Sequence, residues 1–362
     1  MSNPTANAGQ SAQHVLEFER PIAELENKIE ELVAFAATAE VDLTAQIEEL
    51  RGRAADLVRE IYAGLTPWQR VQIARHPNRP GFVDFQQAFV EDFVELQGDR
   101  LFRDDRAIST GFGRIGGRRV MIVAQRKGKT TKERIACNFG MPHPEGYRKA
   151  LRKMKLAEKL GLPIVTFINT QGAYPGVGSE ERGVAFAIAE NLMEMSRLKV
   201  PVICVVLAEG GSGGALAIGV GDRVLMMEHA YYSVITPEGC AAILWKTAER
   251  APHAAGILRI TARDLHEFGI VDEIVREPAG GAHRNQVEAA RLLKASIVAA
   301  LESLEGVPVD RLLADRYEKL RRIGAWIEGQ PIEADLAEDL ADAEESLAPV
   351  AEAFPEKVTA AS

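Results

Sequence analysis

The stretch that organises the sequence is Ala208-Glu-Gly-Gly-Ser-Gly-Gly-Ala-Leu-Ala-Ile-Gly219, which directly follows the apolar run 201–207. That run has the length and β-branched content of a buried strand, and the residues after its glycines are typical of a helix start. Glycines have no Cβ, so the backbone can turn sharply and approach a ligand closely. N–H groups near a helix N-terminus can hold a negatively charged oxygen without a charged side chain. We therefore predict that Gly210, Gly211, Gly213 and Gly214 are backbone donors to an oxyanion.

A similar turn lies one strand–helix unit earlier in the chain. The apolar run 163–169 is followed by Gln171-Gly-Ala-Tyr-Pro-Gly-Val-Gly178, and a helix is predicted from about Ser179. Two strand–glycine turn–helix units in succession favour an anion site built from backbone, and therefore an enzyme. The substrate-binding residues predicted on this turn are Gly172, Ala173, Tyr174 and Gly176.

Composition excludes several classes of protein. The chain has 362 residues, 46% hydrophobic and 26% charged residues, which is ordinary for a globular protein. The net charge of −9 argues against a nucleic-acid-binding protein. Three scattered cysteines (137, 204 and 240) do not form a disulfide framework, and no CxxC or HExxH pattern indicates a metal, so we expect none. Because no secretory signal or apolar membrane-spanning run is visible, we predict a cytoplasmic protein.

The apolar spacing divides the chain into three parts. Residues 1–80 are predicted to be a disordered leader and a helical hairpin, in which apolar residues recur at three- and four-residue spacing. That hairpin could either cover the core or bind a partner as a coiled coil. Strands alternate with helices in residues 81–305, which predicts an α/β core with parallel neighbours. Residues 306–362 are predicted to be a C-terminal helix and an acidic tail.

The densest basic stretch is Arg126-Lys-Gly-Lys-Thr-Thr-Lys-Glu-Arg134. It resembles the end of a P-loop, but Val123 occupies the position of the first glycine, so we reject nucleotide hydrolysis there. The stretch is either a solvated loop or a lip that attracts an anionic substrate. In the second case Arg126, Lys127 and Lys129 would bind substrate.

Two other interpretations of the glycine-rich centre stay open at this point. Gly210-Gly-Ser212-Gly-Gly214 satisfies the GxSxG pattern of a serine-hydrolase nucleophile elbow between a strand and a helix. Its partners could be Asp222 or Asp264 with His229, His253 or His283, although neighbouring glycines make a chance match easy. The chain could also be a non-catalytic scaffold subunit, because glycine turns serve purely structural purposes as well.

Longer segments, taken together from Phe18 to Arg322, resemble the carboxyltransferase α subunits of bacterial multi-subunit acetyl-CoA carboxylases. Asn169 and Gln171 stand where the pattern of that family has aspartate and proline. The segments are Phe18-Glu-Arg-Pro-Ile-Ala-Glu-Leu-Glu26, Ala74-Arg-His-Pro-Asn-Arg-Pro80, Asn138-Phe-Gly-Met-Pro142, Pro144-Glu-Gly-Tyr-Arg-Lys-Ala150, Gly172-Ala-Tyr-Pro-Gly-Val-Gly178, Glu180-Glu-Arg-Gly183, the glycine-rich centre itself with Val220-Gly-Asp222, Ser233-Val-Ile-Thr-Pro-Glu-Gly-Cys240 and Gly280-Gly-Ala-His-Arg-Asn285.

The resemblance implies a crotonase-like fold of the ClpP/crotonase type, a spiral of ββα units. It also implies transfer of a carboxyl group from carboxybiotin, held on a biotin carboxyl carrier protein, to acetyl-CoA. The product would be malonyl-CoA for fatty acid synthesis. The implied partners are a carboxyltransferase β subunit in an α2β2 assembly and a separate biotin carboxylase. In this family the β subunit carries most of the CoA site and a zinc finger, and the α subunit faces biotin.

Overall fold

The computed structural model describes residues 14–39 and 41–324 of the chain. The predicted leader, apart from His14, and the predicted acidic tail beyond Gly324 lie outside these residues. The helices are α1 Arg20–Ala39, α2 Thr44–Ala63, α3 Pro67–Ala74, α4 Phe82–Phe89, α5 Thr131–Ala136, α6 Pro144–Lys159, α7 Val177–Glu181, α8 Val184–Arg197, α9 Ser212–Leu216, α10 Pro237–Trp245, α11 Ala251–Ile257, α12 Ala262–Glu267, α13 Gln286–Ser303 and α14 Val309–Arg322. The strands are β1 Glu91–Glu95, β2 Ile108–Ile115, β3 Arg118–Gln125, β4 Ile164–Thr170, β5 Val202–Gly211, β6 Arg223–Met227, β7 Tyr231–Ser233 and β8 Glu273–Val275.

The described strands form one sheet in the order β1-β2-β3-β4-β5-β6-β8, and β7 pairs with the end of β5. The first three strands are antiparallel, and every pairing from β3 onward is parallel. Strands β4 and β5 are buried along their whole length, as expected of parallel strands covered on both faces. Their carboxyl ends therefore meet at one edge of the sheet, where the two glycine turns begin.

The β2–β3 hairpin has the strands that the sequence predicts, at 108–115 and 118–125. Its turn uses Gly116 and Gly117, both with positive φ, which other residues rarely adopt. The sequence pattern predicts one helix over 83–96, and this prediction is wrong: α4 ends at Phe89, and β1 pairs with β2 along the edge of the sheet. Backbone pairing with β2 outweighs the local helical pattern at these residues.

The N-terminal helical hairpin is present as α1 and α2. A small apolar cluster joins the two helices through Ile29, Ile47 and Ala54. The hairpin is attached to the core at Glu19, whose carboxylate accepts hydrogen bonds from the Tyr62 hydroxyl (2.6 Å) and from His283 Nε2 (3.1 Å). Whether a partner binds the exposed side of the hairpin is not tested by this packing, and the three-part division of the chain stays a prediction.

The C-terminal helix α14 is fixed to the core by a buried arginine. Arg316 forms an ion pair with Asp222 (2.7 Å) and donates to the carbonyls of Met195, Leu198 and Val200. Each nitrogen of the guanidinium thus has an acceptor, because a buried charge is stable only when it is paired and hydrogen-bonded. Among the described helices, none is both long enough and apolar enough to cross a membrane.

Candidate active site at the ends of the parallel strands

The glycine-rich centre divides between a strand and a helix. Gly210 and Gly211 lie in β5, where they pair with Tyr232 and Ser233 of β7. This corrects the prediction of a turn at all four glycines: the strand extends four residues beyond the apolar run because β7 provides a second pairing edge. Helix α9 then starts at Ser212, so that Gly213 and Gly214 fall in its first turn.

The two glycine turns pack directly against each other. A Cβ added at Gly214 would lie well under 3.0 Å from Ala173 N and Gly172 C, and one at Gly211 would meet the backbone of Gln171. These distances leave no space for a side chain, so glycine is required for close approach rather than for an unusual φ. In contrast, a Cβ at Gly213 would meet Ile188 at an ordinary 3.6 Å. The structure therefore brings Gly172, Ala173 and Gly214 together.

The 172–176 turn is held by local hydrogen bonds. Gly172 N–H donates to Thr170 Oγ1 (3.1 Å), and the Thr170 hydroxyl is 2.8 Å from the Gly172 carbonyl oxygen. Tyr174 N–H donates to the Pro142 carbonyl (3.0 Å), and its ring lies edge-on to that of His143. A Cβ on Gly176 would collide with the Tyr174 ring. The four residues predicted on this turn thus form one rigid segment beside α9.

A cavity of about 470 Å³ lies next to the turns, at the carboxyl ends of β3, β4 and β5. In parallel α/β sheets this edge is where ligands bind. Arg126, Lys127 and Lys129 all line it, together with Asn169 and Gln171, and substrate binding by the three basic residues stays a prediction. Gly210, Gly211, Gly213 and Gly214 are not among the lining residues. The other charged side chains that line the cavity are Arg75, Arg79, Asp84, Glu133 and Arg134.

A buried carboxylate, Glu209, organises the charges on one side of the cavity. It accepts hydrogen bonds from Arg75 Nε (2.9 Å) and the Tyr231 hydroxyl (2.6 Å), and it contacts Lys127 Nζ. Burial lowers the pKa of Lys127 to about 7, and the charges of Arg75 and Arg134 act in the same direction. The contact with Glu209 favours the charged ammonium and opposes that shift. Sequence reasoning missed this network, because its members lie far apart in the chain.

The other two predicted basic residues differ in their pairing. Lys129 forms an ion pair with Asp84. Arg126 has only a long contact, 3.9 Å, with Glu95, and its buried Nε has no hydrogen-bond partner among the described residues. Of the three predicted basic residues, Arg126 is therefore best placed to bind an anion, because it would not first have to break a close ion pair.

The hydrolase interpretation finds no support in the geometry. Ser212 is exposed, with φ at 51°, but none of the described histidines hydrogen-bonds to it. Asp222 is committed to Arg316, and His283 to Glu19. A nucleophilic serine needs a base within hydrogen-bond reach, and none is in place here.

Glu19, His76 and His283 are the one group of side chains in the described residues with the composition and spacing of a metal site. Their hydrogen bonds argue for a different role. Asn78 N–H donates to His76 Nδ1 (3.1 Å), so the proton lies on Nε2, which donates to the His14 carbonyl (2.7 Å). Since both nitrogens of His76 already have partners, the group fits the hydrogen-bonded attachment of the N-terminal segment better than a metal ligand set.

The sheet, the glycine turns and the adjacent cavity define a crotonase-like enzyme core. A family model described as acetyl co-enzyme A carboxylase carboxyltransferase-like matches residues 15–324. The acetyl-coenzyme A carboxylase carboxyl transferase subunit alpha of Xanthomonas campestris pv. campestris (strain B100) is 55% identical over 311 residues, covering 86% of this chain and 98% of the relative. That of Bordetella pertussis (strain Tohama I) is 53% identical over 313 residues, with the same coverage. The chain belongs to the family of acetyl-CoA carboxylase carboxyltransferase α subunits and is therefore a transferase subunit.

A solved structure supports the fold. The chain resembles the transcarboxylase 12S structure solved with methylmalonyl-coenzyme A and methylmalonic acid bound, with a TM-score of 0.51 and 21% identity. The match covers 62% of this chain and 42% of that one, so this chain spans less than half of the transcarboxylase. At that identity the likeness shows the fold alone, and it confirms the predicted crotonase-like architecture.

Proposed function

We propose that this chain, together with a β subunit, transfers the carboxyl group of carboxybiotin to acetyl-CoA and forms malonyl-CoA. The observation that carries the proposal is the contact of Gly214 with Gly172–Ala173, which places the backbones of two glycine turns side by side. The family relatives, which carry the name of acetyl-CoA carboxylase, support these substrates.

The reaction needs hydrogen-bond donors that stabilise negative charge, rather than an acid or base from the protein. Cleavage of the N–CO₂ bond of carboxybiotin leaves negative charge on the ureido group of biotin. Transfer of a proton from the acetyl methyl group to the biotin nitrogen leaves an enolate, which attacks the released CO₂. Preorganised N–H groups stabilise such oxyanions strongly, and losing one donor typically costs about 2.7–4 kcal/mol. We propose that the N–H groups of Gly213 and Gly214, with that of Ala173 as an alternative, hold the ureido oxygen.

The cavity beside the turns would bind an anionic part of a substrate. Arg126, Lys127 and Lys129 supply the positive charge, and of these three Arg126 has no ion pair closer than 3.9 Å among the described residues. The rest of the machinery belongs to partners: a β subunit with most of the CoA site and a zinc finger, a biotin carboxyl carrier protein and a biotin carboxylase. An α2β2 assembly in the cytoplasm is part of the same proposal.

Reconstitution tests this function. The purified chain, a family β subunit and a carboxybiotinylated carrier protein are mixed with acetyl-CoA, and malonyl-CoA is measured. We expect product with both subunits and little or none with either alone, because charge develops at two places and this chain supplies one glycine-built site. No product from the complete mixture would overturn the proposal, and substantial product from this chain alone would overturn the requirement for the β subunit. A non-catalytic scaffold subunit would likewise give no product from the complete mixture.

A further inference from the structure

The amide of Gln125 lies completely buried between the two glycine turns. Gln125 is the last residue of β3, and its side chain reaches both neighbouring units of the spiral. Its Oε1 accepts a hydrogen bond from Asn169 N–H (3.0 Å), and its Nε2 donates to the carbonyl of Gly214 (2.8 Å). The two partners fix the orientation of the amide, since one needs an acceptor and the other a donor.

The Gly214 carbonyl has a second side-chain donor. The hydroxyl of Tyr147, which is also completely buried, donates to the same oxygen at 3.3 Å. A rotation of this peptide would leave buried donors on Gln125 and Tyr147 without a partner, which is unfavourable in the interior. Because a peptide is planar, fixing the Gly214 carbonyl also fixes the direction of the Ala215 N–H, and it restrains the first turn of α9 at the residue that carries the Gly214 N–H.

We propose that Gln125 is a positioning residue for carboxyl transfer: it holds the Gly214 peptide in the orientation in which the α9 turn donates to the oxyanion. Tyr147 is its weaker auxiliary. Gln125 does not touch the substrate and acts through Gly214. The proposal rests on the proposed function of the glycine turns and adds the side chains that keep them preorganised.

The side chain at position 125 must supply one donor and one acceptor, so the Gln125→Glu variant tests the proposal. A protonated glutamate can donate to the Gly214 carbonyl and accept from Asn169 N–H, as the glutamine does. An ionised glutamate can only accept, and one of its oxygens would face the Gly214 carbonyl oxygen. Burial of a carboxyl raises its pKa, so we expect the change between these states to fall within the range of an enzyme assay.

The titratable groups around this position are the same in wild type and in Gln125→Glu. Burial raises the pKa of Tyr147 well above its ordinary value, so this phenol stays protonated throughout. Burial also raises the pKa of Asp105, which acts on Tyr147. Arg126 and Lys127 follow Gln125 in the chain. Since wild type and variant share these groups, the ratio of their rates isolates the carboxyl introduced at position 125.

The experiment compares four variants in the reconstituted complex with the β subunit. Gln125→Glu tests titration, Gln125→Met removes both hydrogen bonds at similar volume, and Tyr147→Phe removes the auxiliary donor. Thr166→Val is the matched control, because the buried Thr166 hydroxyl donates to the Ile218 carbonyl (2.7 Å), a bond beyond α9 that the proposal does not use. The readouts are kcat and KM from pH 5.5 to 9, Tm and the α–β association constant.

We expect Gln125→Met to lower kcat about tenfold to a hundredfold at every pH, with KM values little changed, because a misplaced donor costs transition-state binding. The kcat of Gln125→Glu, divided by that of wild type, should approach one at the acidic end and fall steadily as pH rises. Tyr147→Phe should lower kcat a few-fold. Thr166→Val should lower Tm while leaving kcat unchanged.

Two results would overturn the inference. The first is a Gln125→Glu to wild-type ratio that does not vary with pH, and the second is a Gln125→Met enzyme with near-normal kcat. If both Gln125 variants fail to assemble, Tyr147→Phe decides, and an unchanged kcat rejects the positioning role. Failure of the proposed function looks different, since wild type would then transfer no carboxyl group at any pH.

Discussion

The contact between the two glycine turns predicts that Gly214→Ala inactivates the enzyme whereas Gly213→Ala does not. A methyl group at Gly214 would lie well under 3.0 Å from the backbone of Gly172 and Ala173, where ordinary contact begins at 3.4 Å. Since both partners are backbone in a packed region, relief requires the turns to separate by about 1 Å. Displacements of that size at a catalytic site, or the loss of an oxyanion donor, cost about 10²–10³-fold in rate. We expect a loss of kcat in that range.

Gly213→Ala is the matched control, one residue earlier in the same helix. Its methyl group would meet Ile188 at 3.6 Å, and φ there is not positive. Alanine is also the better helix former by about 0.5–1 kcal/mol, so the variant should fold at least as well as wild type. The assay is malonyl-CoA formation at saturating substrates by the reconstituted complex, with Tm and α–β association measured on the same samples. A Gly214→Ala enzyme that assembles and turns over within a few-fold of wild type would refute the reasoning.

Three further predictions follow from named contacts. Ser212→Ala should keep kcat within a few-fold of wild type, because a true nucleophile would lose about 10⁶-fold, and an esterase activity abolished by this change would favour a hydrolase. Arg126→Met should raise the KM of the anionic substrate about tenfold with kcat unchanged, because the guanidinium of Arg126 has only a 3.9 Å contact with Glu95 among the described residues; unchanged KM values for both substrates would favour the solvated-loop alternative. Glu19 has its pKa lowered from 4.5 to about 2, since hydrogen bonds from His283 and Tyr62 outweigh the opposing effect of burial. Because the pKa of Glu19 is lower in the folded protein, its carboxylate contributes at most roughly 3 kcal/mol to the free energy of unfolding. This contribution is complete above pH 4.5 and is lost as pH falls toward 2. The acid unfolding of Glu19→Gln should therefore depend less on pH over that interval than that of wild type.

Local sequence patterns predict the elements whose pairing partners are close in the chain. The β2–β3 hairpin follows from two alternating runs and a Gly-Gly turn, and α10 begins at Pro237, where proline is favoured at the first helical position. The end of α4 and the start of β1 could not be obtained in this way, because β1 exists through its pairing with β2. The continuation of β5 through Gly211 depends likewise on β7, which lies about twenty residues further along.

The sequence shows the glycine turns themselves but not the side chains that hold them in place. Glycines in two turns are visible in the sequence, but their mutual contact is a property of the sheet register, in which Thr170 of β4 pairs with Gly210 of β5. Gln125 could have been suspected, since it is a polar residue that ends an apolar run at the edge where parallel strands meet, as Asn169 does. The network of Glu209 with Arg75, Lys127 and Tyr231 gives no local pattern of this kind.

Where the proposed donors are backbone N–H groups, buried side chains must hold those groups in the right orientation. A side-chain donor can be oriented by its own rotamer, whereas a backbone N–H is oriented by fixing the peptide plane that contains it. In this chain the Gly172 peptides are fixed by Thr170, and the Gly214 peptide by Gln125 and Tyr147. These hydroxyl and amide groups are neutral, so they orient the turns without placing a full charge beside the proposed oxyanion site. The absence of an obvious catalytic acid or base in the sequence is therefore consistent with a reaction in which biotin itself moves the proton and the protein supplies a rigid arrangement of donors.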